Sequence, residues 1–383
     1  MTRAIHRVIL CADGDSRDID LWSNIPFLLG EELDRRRIEL IRLDLSQPVW
    51  IKRLWRYTFG PRHKLCHWDT SIDFYRSATN HWLTTLRLNQ AVRRFGGPGC
   101  LLINLSISFA PTITTTPVVL LSDWSYHHYI TTRLGRVPDR SEWATISRDS
   151  AAMERATLAV LLFPESAARL QRQIPGGHFR FLGHVINDHP LAPPAPAEAP
   201  ALCSHVPWNL LFIGRPRYRE GLELLLQALP FILSHVPVRL DVIGMDPAKY
   251  PASSPSGQAT CFHGYLSKAD PIQRRRYYEL LNNADLIINA SERWGGFSAT
   301  VEAMHRYSAV LTPPYAEFEA MFGEDIPFGT YLRNLTPDGL VEAITGMLQN
   351  PARLAQQQQA AHQAVQHFSW NAFVNQLFDL IEV

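Results

Sequence analysis

The chain has 383 residues, 46% hydrophobic and 19% charged, long enough for two or three domains at roughly 150 residues each and too apolar for a disordered, collagen-like or coiled-coil chain. Its net charge of +1 names no partner, but residues 1–190 hold 24 Lys/Arg against 18 Asp/Glu and residues 191–383 hold 13 against 18, as two domains with different partners would. Five scattered cysteines (Cys11, Cys66, Cys100, Cys203, Cys261) without a C-x-x-C pair fit a reducing compartment and argue against a disulfide framework or a zinc site.

The apolar run Val8–Ala12 is five residues, shorter than the 7–15 of a signal h-region, so no secretion signal is expected. Arg7–Ala12 instead predicts a strand that breaks at Asp13-Gly14. A helix is expected from about Ser23 to Arg35, then a strand over Ile38–Leu43. The apolar runs Gly99–Leu105 and Pro117–Leu121 are of strand length. Cys100–Leu121 contains polar residues and prolines, so it is not a membrane span. Pro190–Pro200 carries five prolines in eleven residues. Proline fixes φ and lacks a donor, so this stretch predicts a linker between domains.

Beyond the linker, strand and helix alternate. Asn209–Ile213 ends at Gly214, and Leu222, Leu225, Leu226 and Leu229 then fall on one helical face. Val238–Ile243 ends at Gly244, and a strand over 259–263 precedes Gly264. Asp270-Pro271 predicts a helix start through an N-cap and a first-turn proline. Asp285–Asn289 is a strand, Val301–Arg306 opens a helix, and Ala309–Thr312 is a strand. Such alternation implies parallel βαβ units in doubly wound sheets, where ligands bind at the carboxyl ends of strands.

Three features stand at those ends. Gly214-Arg215-Pro-Arg217-Tyr-Arg219-Glu-Gly221 is an arginine-rich turn before a helix, suited to phosphate; a solvated basic turn is the bland alternative. Ser291-Glu292-Arg-Trp294-Gly295-Gly296-Phe297-Ser298 opens the next helix, and Glu302 lies about one turn inside it. That carboxylate suits two vicinal hydroxyls, or merely complements the helix dipole. His263-Gly264-Tyr265 suits a base, or is an ordinary turn.

Together these features resemble glycosyltransferase family 4, the retaining GT-B enzymes, over most of residues 205–383. The resemblance rests on Leu211-Phe-Ile-Gly-Arg215, Gly221-x3-Leu225, Val242-Ile-Gly244, Phe262-x-Gly264, Tyr278-x5-Ala284-Asp285, the Gly-Gly-Phe-Ser loop, Glu302-Ala-Met304, Val310 and Phe368-Ser369-Trp370. Gly14–Leu33, Val118–Asp123 and Glu154 to Asp188 resemble the N-terminal half more weakly. The resemblance implies two Rossmann-like domains facing a cleft: an acceptor-binding domain over 1–188, a linker over 189–207, a nucleotide-sugar-binding domain over 208–368, and a last helix over 369–383 returning to the first domain.

It also implies roles. Arg215 binds the donor diphosphate, with Arg219 beside it, and Glu302 binds the ribose. Gly295, Gly296, Phe297 and Ser298 present amides, Glu292 stands close by, and Gly264 and Tyr265 lie near the base. Gly14 faces the phosphates, Asp123 sits by the anomeric carbon, and His127 lies further along. The expected catalytic set is Asp123, His127 and Arg215. Positive groups and amides replace a metal, so no metal and no cofactor are expected. Three positions depart from the family: Glu220 stands where a lysine is usual, Trp294 replaces the first glutamate of Glu-x7-Glu, and Ser122 precedes Asp123 where histidine is usual. An enzyme moving a sugar with retention, and a catalytically impaired homologue acting as a glycan-binding partner subunit, both remain open.

Trp50–Trp68 holds five Lys/Arg, three Trp and no acid. Trp50, Lys52, Arg53, Trp55, Arg56, Arg62 and Lys64 suit an anionic membrane surface or a lipid-linked acceptor. The alternative is a helix with a buried aromatic face and a solvated basic one. Nucleic acid is not expected as a partner. The expected location is cytoplasmic, peripheral at the inner face of a membrane.

Overall fold

The computed structural model describes residues 5–59, 71–113, 115–193, 206–250, 259–292 and 297–381. Arg62, Lys64, Gly295 and Gly296 lie outside them. The chain divides into two compact units, Met1–His184 with Trp370–Val383, and Val185–Ser369.

The first unit is built on six parallel strands: β1 (Arg7–Ala12), β2 (Glu39–Asp44), β3 (Cys100–Asn104), β4 (Val118–Ser122), β5 (Leu158–Leu161) and β6 (Phe179–Phe181), in the order β2-β1-β3-β4-β5-β6. β3, β5 and all of β1 after Arg7 are buried, as continuous apolar runs must be when helices cover both faces. Its helices are α1 (Ile25–Arg35), α2 (Val49–Thr58), α3 (Ala78–Phe95), α4 (Arg140–Arg155) and α5 (Pro164–Gln173). The start of α4 is set by a capping box, Asp139 accepting from the Glu142 N–H and Glu142 from the Asp139 N–H.

The second unit repeats the plan with β7 (Trp208–Ile213), β8 (Val238–Ile243), β9 (Thr260–Phe262), β10 (Leu286–Ile288), β11 (Ala309–Thr312) and β12 (Gly329–Tyr331). Their order, β12-β11-β10-β7-β8-β9, is the doubly wound Rossmann order, and it reverses between β7 and β10, where crevices for ligands form. The helices are α6 (Arg219–His235), α7 (Pro271–Asn282), α8 (Phe297–His305), α9 (Ala316–Phe322), α10 (Pro337–Leu348) and α11 (Pro351–Val365). Leu222, Leu225 and Leu229 of α6 are fully buried against Leu210, Phe212 and Leu240 of the sheet, the face their spacing predicted.

The last helix, α12 (Trp370–Ile381), belongs to the first unit and packs on α1. Arg36 at the end of α1 donates to the Asn371 carbonyl at 2.8 Å and to its Oδ1 at 2.7 Å, so the return of the chain is fixed by polar bonds as well as by buried Phe373, Val374 and Leu377.

Candidate functional site

In the second unit, the turn after β7 starts from Gly214. The Gly214 carbonyl approaches Gly244, which has φ +92°, so closely that a Cβ there would lie 2.5 Å from it. Only glycine allows that approach with that dihedral. The turn thus lies beside the Gly244–Gly264 corner, where the Gly244 N–H donates to the Gly264 carbonyl at 2.7 Å. This brings Arg215 and Tyr265 together, the guanidinium 5.4 Å from the ring centroid. Arg215 is exposed, and among the described residues no carboxylate pairs with it. Arg219 differs: Glu223 holds its guanidinium at 2.5 Å. Arg217 rests on Tyr218, 5.0 Å from its centroid. Of the three arginines, Arg219 is the one held by a carboxylate, and Arg215 is the one that directly follows the Gly214 turn at the end of β7.

Gly221 opens α6 against the loop after β10: a Cβ there would lie 2.8 Å from the Ser291 amide nitrogen and from the Ala290 carbonyl carbon. The start of α6, just after the arginine turn, and the beginning of the loop after β10 therefore sit together at the β7/β10 reversal. Glu292 is exposed in that loop, and Ser298 is half-buried. Phe297 begins α8 with its ring buried against Phe318 and Phe322, at 5.6 and 5.9 Å, which anchors the helix start. His263 is held by the sheet, Nε2 2.7 Å from Asp241 Oδ1.

Glu302 is only 3% exposed. Lys268 Nζ donates to both of its oxygens at 2.8 Å and to the Asn187 carbonyl at 2.9 Å. The Tyr277 hydroxyl donates to Oε2 at 2.8 Å. Burial pushes the Glu302 carboxyl up, and Lys268 and Tyr277 oppose the rise. The sequence reading missed Lys268, whose neighbours Ser267 and Ala269 carry no motif and whose partners are 34 and 81 residues away.

In the first unit, a cavity of about 310 Å³ opens at the ends of β1, β3 and β4, lined by Asp13, Tyr75, Arg76, Ser106, Asp123, Trp124 and Tyr126. This too is a point where strand order reverses, between β1 and β3. Asp123 accepts from the Trp124 amide at 2.7 Å. Arg76 stacks on Tyr126, 3.7 Å from its centroid; nothing local in the sequence marked it. The Gly14 amide, expected to face phosphate, donates to Asp44 Oδ1 at 3.0 Å. His127 does not join Asp123. It lines a separate, mostly apolar cavity of about 260 Å³ with Trp143, Met153 and Leu170, its Nδ1 3.3 Å from Gln173 Nε2.

The basic stretch forms α2, and its aromatic residues are not buried as a face. Trp50, Leu54 and Tyr57 are 66%, 56% and 78% exposed, one stripe of a helix by their spacing. Lys52 is half-buried, Arg53 and Arg56 are exposed, and Trp55 packs edge-on against Phe74 at 5.8 Å. No described helix is long and apolar enough to cross a membrane.

Residues 207–350 match the family model of glycosyl transferases group 1. No curated protein matches the sequence. Among solved structures, sucrose-phosphate synthase from Thermosynechococcus elongatus is similar with a TM-score of 0.66 at 16% identity, covering 98% of both chains. WaaG, a glycosyltransferase involved in lipopolysaccharide biosynthesis, gives 0.62 at 15% identity over 98% of this chain and 99% of its own. A TarM mutant from S. aureus, solved in complex with Fondaparinux, alpha-GlcNAc-glycerol and UDP, gives 0.59 at 13% identity over 78% of this chain and 59% of its own. The shared feature is the fold: two units on parallel sheets and a C-terminal helix. The chain has the GT-B fold, with the group 1 match in its second unit.

Proposed function

We propose that this protein is a glycosyltransferase that moves a sugar from a nucleotide-sugar to a glycan or lipid-linked acceptor with retained anomeric configuration. The observation that carries this is that one unit, whose strand order reverses between β7 and β10, holds both Arg215, with no carboxylate paired to it among the described residues, and the buried Glu302, inside the segment that matches group 1 glycosyl transferases.

In this reading Arg215 takes the diphosphate. A guanidinium offers a bidentate match to phosphate oxygens, and its charge counts most as the leaving group gains charge. The amides at the start of α8 face the same oxygens, and Tyr265 flanks the base. Glu302 accepts from the ribose. Asp123 lines the strand-end cavity of the first unit, and the charge of the leaving group is met by protein groups rather than a metal.

Thermal unfolding against UDP, GDP, ADP, dTDP and their sugars tests the donor assignment. A ligand at 100 times its Kd adds about 2.7 kcal/mol, and one base is expected to stand out. If no nucleotide shifts the transition, the donor reading fails and the partner-subunit alternative takes its place.

The exposed stripe of α2 extends the proposal to the acceptor side: Trp50, Leu54 and Tyr57 enter the interface of an anionic bilayer while Lys52, Arg53 and Arg56 meet its headgroups. Sedimentation with vesicles containing anionic lipid is expected to bring the protein down, and Lys52, Arg53, Arg56 and Lys64 changed together to Glu are expected to abolish this. Unchanged binding of that variant would end the membrane reading.

A further inference from the structure

Glu302 is asked to act as a hydrogen-bond acceptor in a place where a lone carboxylate is costly to ionise. Lys268 resolves that conflict. Lys268 is itself only 6% exposed, and its three donors are all used, on Glu302 Oε1, Glu302 Oε2 and the Asn187 carbonyl. The ammonium lies over the Tyr277 and Tyr278 rings, 4.8 and 5.6 Å from the centroids. With Tyr277 on Oε2 as well, the carboxylate keeps an acceptor position on Oε1. The adjoining Asn187 carboxamide is buried, and among the described residues neither its Oδ1 nor its Nδ2 is bonded. Open acceptor and donor capacity around a fully bonded ammonium suits a ligand with hydroxyl groups.

We propose that Lys268 is a positioning residue of the donor site, acting through Glu302 by fixing it as an oriented, ionised acceptor for the ribose diol. This rests on the donor reading above and adds to it a residue outside the motifs that suggested it.

The surroundings make the idea testable by pH. Asp188 faces Glu302 but is paired with Arg306 at 2.7 Å. Arg274 donates to the Lys268 carbonyl at 3.0 Å. His189 is pushed down to about 4 by burial and by Arg274 and Lys268. On α8 itself, burial also lowers His305. Tyr277 and Tyr278 are raised by burial. Loss of Lys268 removes the cation that opposes the rise of the Glu302 carboxyl, so protonation of Glu302 is the change that a pH series follows.

The experiment is calorimetric binding of UDP, GDP, ADP and dTDP at pH 6.0, 7.0 and 8.5 to the parent, K268M, K268R and the double variant K268M/E302Q. For the nucleotide that binds, the ratio of the K268M to the parent Kd is expected to rise as pH falls, approaching about tenfold per pH unit once Glu302 is protonated. K268R, which keeps the charge, is expected to give a ratio flat with pH. K268M/E302Q, with no buried unpaired charge, is expected to fold and to bind weakly at every pH; it controls for a K268M protein too unstable to measure, in which case a K268R ratio that varies with pH overturns the proposal. A K268M ratio flat with pH also overturns it, since a merely structural contact would give that. If the parent binds none of the four nucleotides, the donor reading itself falls; if the parent binds and K268M tracks it, only the role of Lys268 falls.

Discussion

Arg215→Ala is expected to lower turnover of the nucleotide-sugar by about 10²–10³-fold, the effect of removing one preorganised group aimed at developing charge. The side chain is exposed and, among the described residues, unpaired with any carboxylate, so its removal breaks no ion pair. Surface changes of that kind fall within about 0.5 kcal/mol, and the melting temperature is expected to stay within about 2 °C of the parent. Arg219→Ala provides the contrast. Glu223 occupies that guanidinium, so the loss of turnover is expected to be several times smaller. Arg215→Lys is expected to recover part of the rate, because a point charge replaces a bidentate fork. Equal losses for Arg215→Ala and Arg219→Ala, measured as kcat and KM for the donor, would remove Arg215 from the leaving-group role.

A second large effect is expected within the first unit. Glu142 at the start of α4 is fully buried. It accepts from Arg136 Nη1 and Nη2 at 2.7 and 2.8 Å, from the Ser71 amide and hydroxyl at 2.8 and 2.7 Å, and from the Asp139 amide at 2.8 Å. Burial pushes this carboxyl up, but the bonds from Arg136, Ser71 and Asp139 outweigh it and hold it at about 2. Glu142→Ala leaves the Arg136 charge and several donors unpaired, and breaking a buried pair in this way costs about 3–5 kcal/mol. Thermal unfolding at pH 7 reads that loss directly. The pH dependence has a definite sign. The folded value lies below the unfolded one, so the stabilisation is complete above the unfolded value of about 4.3 and is lost as pH falls toward 2. At most about 3 kcal/mol is linked to that proton. The parent is expected to lose stability more steeply than Glu142→Ala across this window. A variant within about 1 kcal/mol of the parent at pH 7, or an equally steep acid limb, would refute the assignment.

How far the sequence reading reached is clearest element by element. Arg7–Ala12, Asn209–Ile213, Val238–Ile243 and Ala309–Thr312 were legible as strands because parallel strands covered on both faces are unbroken apolar runs. β6 and β12 are three residues each, too short for any period to show, and β5 went unmarked at four. α8 is described from Phe297, whose buried ring packs on Phe318 and Phe322, so the helix begins within the glycine-rich stretch rather than at the apolar run from Val301. The α2 stretch was legible as basic and aromatic, but its exposed stripe was not, since amphipathic spacing does not say which face a fold covers.

The sequence by itself determined the two alternating halves, the glycine-bounded turn that carries Arg215, and the carboxylate one turn inside the next helix. Each depends on neighbours within about a dozen residues, where sterics, capping and periodicity act. The tertiary structure alone decided that Glu223 occupies Arg219, that His127 and Asp123 line different cavities, and that Lys268 and Tyr277 hold Glu302. Those outcomes are set by charge pairing and burial between segments as far apart as Asn187 and Lys268. The energy of an ionised group depends on what the whole fold places within a few ångströms of it, and no local pattern carries that information.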